Sequence, residues 1–125
     1  PLVIFPQNIQ AMQEASQYLV GTHDFKSFCA AKTQAQTTVR TVTGIEVEAH
    51  PLSEGEYPSK KVIIRVTGEG FLYNMVRIIS GTLIKVGLGV YPPEHVKQIL
   101  EACDRSQAGE TVPAKGLFLK KIEYL

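Results

Sequence analysis

The sequence predicts an α+β domain, an antiparallel sheet with helices packed on one face. Three observations point there. Apolar residues recur at helical spacing in separate segments. A stretch beginning near Thr37 alternates with the period of a strand. The segments then follow in the order helix, strand, strand, helix, helix, strand, without βαβ repetition. At 125 residues the whole chain, 1–125, reads as a single domain around one core.

Asn8 is placed to cap a first helix whose stripe is Ile9, Met12, Ala15, Ser16 and Leu19, with Gly21 as its stop. THDFKSFCAAK, residues 22–32, has no long period and reads as an irregular connector; Asp24 is placed to cap a short turn carrying Phe25 and Phe28. From Thr37 onward Val39, Thr41, Thr43, Ile45 and Val47 fall on one side, and Arg40, Val42, Glu46 and Glu48 on the other. PLSEGEYPSK, residues 51–60, is rich in turn formers and predicts a hairpin loop before a second strand over residues 62–73. Asn74 then caps a helix through Met75, Val76, Ile79 and Leu83 that frays near Gly87 and Gly89. Pro92 and Pro93 separate it from another helix, in which Val96, Ile99, Leu100 and Cys103 face the core. GLFLKKIEYL at the end is apolar on both faces near its start, the pattern of a central strand.

Composition narrows the function classes. Hydrophobic residues make up 44 % and charged residues 20 %, and no apolar run reaches the roughly 18 residues of a membrane helix, so no membrane role is expected. The chain starts at Pro1 without the basic and apolar regions of a signal peptide, which suggests a processed or truncated start. Cys29 and Cys103 have no metal-ligand spacing and read as reduced thiols of a cytoplasmic protein. A net charge of +1 decides nothing, but Glu46, Glu48, Glu54 and Glu56 crowd one segment while Lys26, Lys32 and Arg40 precede it and Lys115, Lys120 and Lys121 follow. That unevenness fits a solvated face, or a phosphate-contacting surface with an acidic side turned away.

Most motifs for chemistry are missing. GEGF at residues 68–71 fails the dinucleotide fingerprint, because Tyr73 stands where its third glycine belongs, and reads as a bend or bulge. His23, His50 and His95 are scattered, so no metal site is expected. Arg77 is the residue out of place. It lies in the first turn of a helix, where roughly half a positive charge disfavours a cation. It snorkels to water, pairs with an internal acid, or reaches a carboxylate or phosphate in a cleft with its planar fork.

GTHDFKSF at residues 21–28, GFLYNMVRIISGTL at 70–83 and PAKGLFLKKIEY at 113–124 resemble, in order and spacing, the C-terminal half of the tRNA pseudouridine synthase A family. The resemblance implies half of a pseudouridine synthase fold and isomerisation of uridine to pseudouridine in the anticodon stem-loop of tRNA, without metal or organic cofactor. It places the catalytic aspartate in an R-T-D-x-G-V-H-A motif of the N-terminal half. The chain has two aspartates, Asp24 and Asp104, and neither matches that motif. A fragment inactive by itself is therefore expected, with the N-terminal half as partner and a homodimer as the assembly. Position by position, Arg77 matches the arginine that pairs with the catalytic aspartate. Leu117 resembles a residue lining the uracil pocket, with Tyr73 and Asn74 at its edge, although core packing explains these three equally well. Binding tRNA falls to Lys26, Lys32, Arg40 and Lys115, with His23 as a further candidate. A free-standing RNA-binding or dimerisation module without catalysis is the alternative.

Overall fold

The computed structural model describes residues 8–30, 37–52, 59–109 and 123–124. Helix α1 (Ile9–Gln17) leads into strand β1 (Gly21–Asp24) and a 3₁₀ turn (Lys26–Phe28). Strands β2 (Val39–Leu52) and β3 (Ser59–Glu69) follow, then α2 (Met75–Gly87), α3 (His95–Ala102), a second 3₁₀ turn (Arg105–Gln107) and β4 (Glu123–Tyr124). The sheet order is β1-β2-β3-β4, so the α+β class holds. The first three strands are antiparallel neighbours, but β4 runs parallel to β3 at one end of the order rather than centrally. The apolar start of that last segment lies outside the described residues.

The helices bury most of the stripe their spacing sets, but Cys103, expected to face the core, lies past the end of α3 in a left-handed turn (φ 49°) and is only half-buried. Met12, Ala15 and Leu19 from the α1 region, Met75, Val76, Ile79 and Leu83 from α2, and Val96, Ile99 and Leu100 from α3 share one core with Val42, Ile45, Val47 and Val66 of the sheet. Phe25 and Phe28 close it, with ring centroids 6.2 Å apart in edge contact. Asn8 caps α1 as expected, its Oδ1 accepting from the Ala11 N–H at 3.0 Å. The end of α2 is a Schellman motif at Gly89 (φ 82°): the Gly89 N–H donates to Val86 O at 3.0 Å and the Val90 N–H to Lys85 O at 2.9 Å. Buried Thr82, midway along α2, accepts from the Gly109 N–H at 2.9 Å, which pins the chain after the second 3₁₀ turn to that helix.

Several expectations fail for local reasons. The segment after α1 is not irregular: Gly21 does not stop the helix, which ends at Gln17, but opens β1 at φ 117°. Asp24 does serve the turn, its Oδ1 accepting from the Lys26 N–H at 3.1 Å. Val42 does not share a face with Glu46. A bulge between Val42 and Gly44 inserts one residue and reverses the alternation, which brings Val42 into the core with Ile45 and Val47 and leaves Val39 exposed. The hairpin strands reach further into the expected loop, to Leu52 and from Ser59, while β3 stops at Glu69, short of Tyr73, because Gly70 turns the chain at φ 56°. Among the described residues no helix is long and apolar enough to cross a membrane.

Candidate functional site

Between β3 and α2 the chain sorts its side chains sharply. Leu72, Met75 and Val76 are buried, whereas Tyr73 is 71 % exposed and Asn74 and Arg77 are half-buried. Main-chain bonds hold the segment, with the Met75 N–H on Leu72 O at 3.0 Å, Ile78 N–H on Asn74 O at 2.9 Å and Ala30 N–H on Tyr73 O at 3.4 Å. The expected cap at Asn74 is replaced by something else. Its backbone is left-handed (φ 61°, ψ 7°), its side chain caps no N–H, and its Oδ1 accepts from Arg77 Nη1 at 3.2 Å.

Arg77 therefore meets a neutral amide oxygen, and among the described residues no carboxylate lies within ion-pair distance of it. Its remaining N–H groups keep the fork geometry that recognises a carboxylate or phosphate oxygen pair. Tyr73, Asn74 and Arg77 are thus brought together at the helix start.

The other candidate cations divide. Arg40 folds back over the start of β2, with Nη1 donating to Thr37 O at 2.8 Å and to Val39 O at 2.7 Å. Its Nε passes within 3.9 Å of where a Cβ on Gly70 would lie, so it borders the turn that leads to Arg77. Lys26 is exposed on the first 3₁₀ turn. Lys26, Arg105 and Arg40 all act on the buried Cys29 thiol, whose pKa is nevertheless raised, first by burial and then by Asp24. His23 pairs with Arg40 across β1 and β2. Its Nε2 lies 3.0 Å from Val20 O, its ring meets the edge of Phe25, and it lines an open pocket of about 280 Å³ with Tyr18, Asp24, Lys97, Leu100, Glu101 and Cys103. Lys32, Lys115 and Leu117 lie outside the described residues. Among the described residues no three His, Cys, Asp or Glu side chains form a metal-binding group.

Both aspartates make local hydrogen bonds through one carboxylate oxygen. Asp24 Oδ1 accepts from the Lys26 N–H and the Thr38 hydroxyl. Asp104 Oδ1 accepts from the Ser106 hydroxyl at 2.8 Å and N–H at 3.0 Å, and those two bonds, the hydroxyl's first, hold its carboxyl below the usual range.

One charged group escaped the sequence reading. Arg65 Nη1 donates to Glu46 Oε2 at 3.2 Å and to Glu48 Oε1 at 2.8 Å, and His50 lies 3.1 Å from Glu48. Glu46 faces Arg65 in the β2–β3 register, a pairing that no local sequence pattern discloses. The acidic segment is thus partly neutralised on the sheet.

Comparison with known proteins identifies the family of the chain. A family model described as tRNA pseudouridine synthase matches residues 15–125. A tRNA pseudouridine synthase A of Brevibacillus brevis is 50 % identical over 122 residues, covering 98 % of this chain and 47 % of the relative. That of Bacillus subtilis is 50 % identical over 117 residues, covering 94 % and 44 %. A tRNA pseudouridine synthase A 2 of Clostridium tetani is 49 % identical over 117 residues, again covering 94 % and 44 %. The chain spans about half the length of the curated relatives it matches.

Proposed function

This chain belongs to the tRNA pseudouridine synthase family, and from that premise we propose that it forms one wall of the active site of a longer enzyme that converts uridine to pseudouridine in the anticodon stem-loop of tRNA. The observation that carries the reading is Arg77, a half-buried guanidinium in the first turn of α2 with no acid partner among the described residues. Its partner is an aspartate outside this chain, in the other half of the enzyme. The ion pair keeps that carboxylate ionised and fixes its direction, as attack on the nucleoside requires. The reaction moves a base from a nitrogen link to a carbon link on the same sugar, so its atoms balance without a co-reactant. Tyr73 and Leu117 border the uracil.

Turning the nucleotide out of its stack costs a few kcal/mol, which contacts to the RNA offset. Lys26, Arg40, Lys32 and Lys115 supply phosphate contacts in this reading, with His23 at their margin; recognition of an A-form stem relies on such spread cations more than on base reading. The enzyme acts in the cytoplasm as a homodimer. Since neither Asp24 nor Asp104 stands in the R-T-D-x-G-V-H-A pattern that the resemblance assigns to the nucleophile, the chain alone binds RNA without turnover in this reading, which is also what a binding module would do. Release of tritium from C5-labelled uridine in unmodified tRNA separates the two, because the new carbon link displaces that hydrogen: turnover appears when the remaining half is added if the chain is part of an enzyme, and never appears if it is a module. Turnover by the chain alone refutes both.

A further inference from the structure

We infer that Asn74 is a positioning residue for Arg77, neither a helix cap nor a contact to the uracil, an inference that rests on the catalytic reading of Arg77. The protein contains its own comparison. Asn8 and Asn74 occupy the same position at the starts of α1 and α2, yet Asn8 has an extended backbone (φ −86°, ψ 90°) and gives its Oδ1 to the Ala11 N–H. Asn74 has a left-handed backbone and gives its Oδ1 to Arg77 Nη1. Only Asn74 and Cys103 adopt positive φ among the described non-glycine residues. Asparagine tolerates that conformation better than most side chains, and a functional demand is a common reason for finding it.

The mount is firm. Leu72 and Met75 are anchored in the core on either side, and the Asn74 carbonyl accepts from the Ile78 N–H at 2.9 Å. Its Oδ1 is therefore a fixed point toward which a long side chain with several rotatable bonds is drawn. The acceptor is also neutral. It orients the guanidinium without cancelling its charge, so the charge stays available to a carboxylate arriving from elsewhere. An acid at position 74 would capture the arginine first.

The test uses the full-length synthase and unmodified tRNA, with kcat, KM and the melting temperature measured for Asn74→Gly, Asn74→Asp, Arg77→Ala and the Asn74→Gly/Arg77→Ala double variant. Glycine keeps the left-handed turn and removes only the acceptor. Asn74→Gly should melt as the parent does and lose roughly 10- to 100-fold in kcat, the scale set by about 1 Å of misplacement, with KM within about twofold. Asn74→Asp should fall at least as far. The double variant should be no slower than Arg77→Ala, because one residue acts through the other. Parental kcat in Asn74→Gly, or a raised KM with kcat intact, overturns the inference while leaving Arg77 untouched. An active Arg77→Ala enzyme overturns the catalytic reading and this inference with it.

Discussion

Gly68 and Gly44 flank the bulge in the β2–β3 pair, and alanine should be rejected at one and accepted at the other. A Cβ on Gly68 would lie 2.5 Å from Thr41 O, 3.1 Å from Val42 Cα and 3.3 Å from Phe71 Cε1; the closest two are backbone atoms of the neighbouring strand. They move only if the ladder opens beside the bulge. Such overpacking costs about 1–3 kcal/mol. With about 2.1 cal/mol/K of unfolding entropy per residue, a chain of 125 residues loses about 4 °C per kcal/mol, hence about 4–12 °C for Gly68→Ala. A Cβ on Gly44 meets nothing within 4 Å, so Gly44→Ala should melt at or slightly above the parent, since alanine loses less chain entropy on folding. Thermal unfolding followed by circular dichroism reads both. Equal midpoints for the two variants would show that the close approach of Gly68 to β2 does not shape this end of the sheet.

Two further outcomes follow from the charged groups. Glu48 is held below its usual pKa of 4.5, first by the hydrogen bond with His50 and then by that from Arg65. A depressed carboxylate pKa gives stability that is full above the unfolded value and is lost as pH falls through the folded one. Urea midpoints should therefore drop below pH 4.5, and Glu48→Gln should flatten that acid limb; an unchanged slope would remove Glu48 from the account. In filter-binding of tRNA to the full-length protein, Lys26→Ala and Arg40→Ala should each reduce the salt slope of log K by about 0.7–0.9, the value for one phosphate contact. A slope identical to the parent's would take that residue off the RNA surface.

How far the sequence could be read depended on the length of its signals. α1 and α3 were legible because each offers a stripe of several apolar residues at helical spacing. β1 was not, since its four residues are too short for a period to show and its partners lie in β2, beyond the first 3₁₀ turn. The face assigned to Val42 failed because a bulge is a property of two paired strands, and Gly44 alone hardly announces it. At the site, the helix dipole marked Arg77 as anomalous from sequence alone. It could not say what holds the side chain, because asparagine before a helix ordinarily means a cap, as Asn8 shows, and only the left-handed backbone at Asn74 discloses the other use. The same limit hid the Arg65 pairs, which need the β2–β3 register.

The central claim is that Arg77 serves an acid brought by the other half of the enzyme. Arg77→Lys in the full-length protein, assayed by release of tritium from C5-labelled uridine in unmodified tRNA, tests it most directly. An ammonium keeps the charge and loses the fork, so the account predicts a parental melting temperature and a loss of roughly 100-fold or more, the scale on which a single electrostatic contact at a reacting centre is felt. Turnover near the parent's, or a loss that merely follows unfolding, would contradict it.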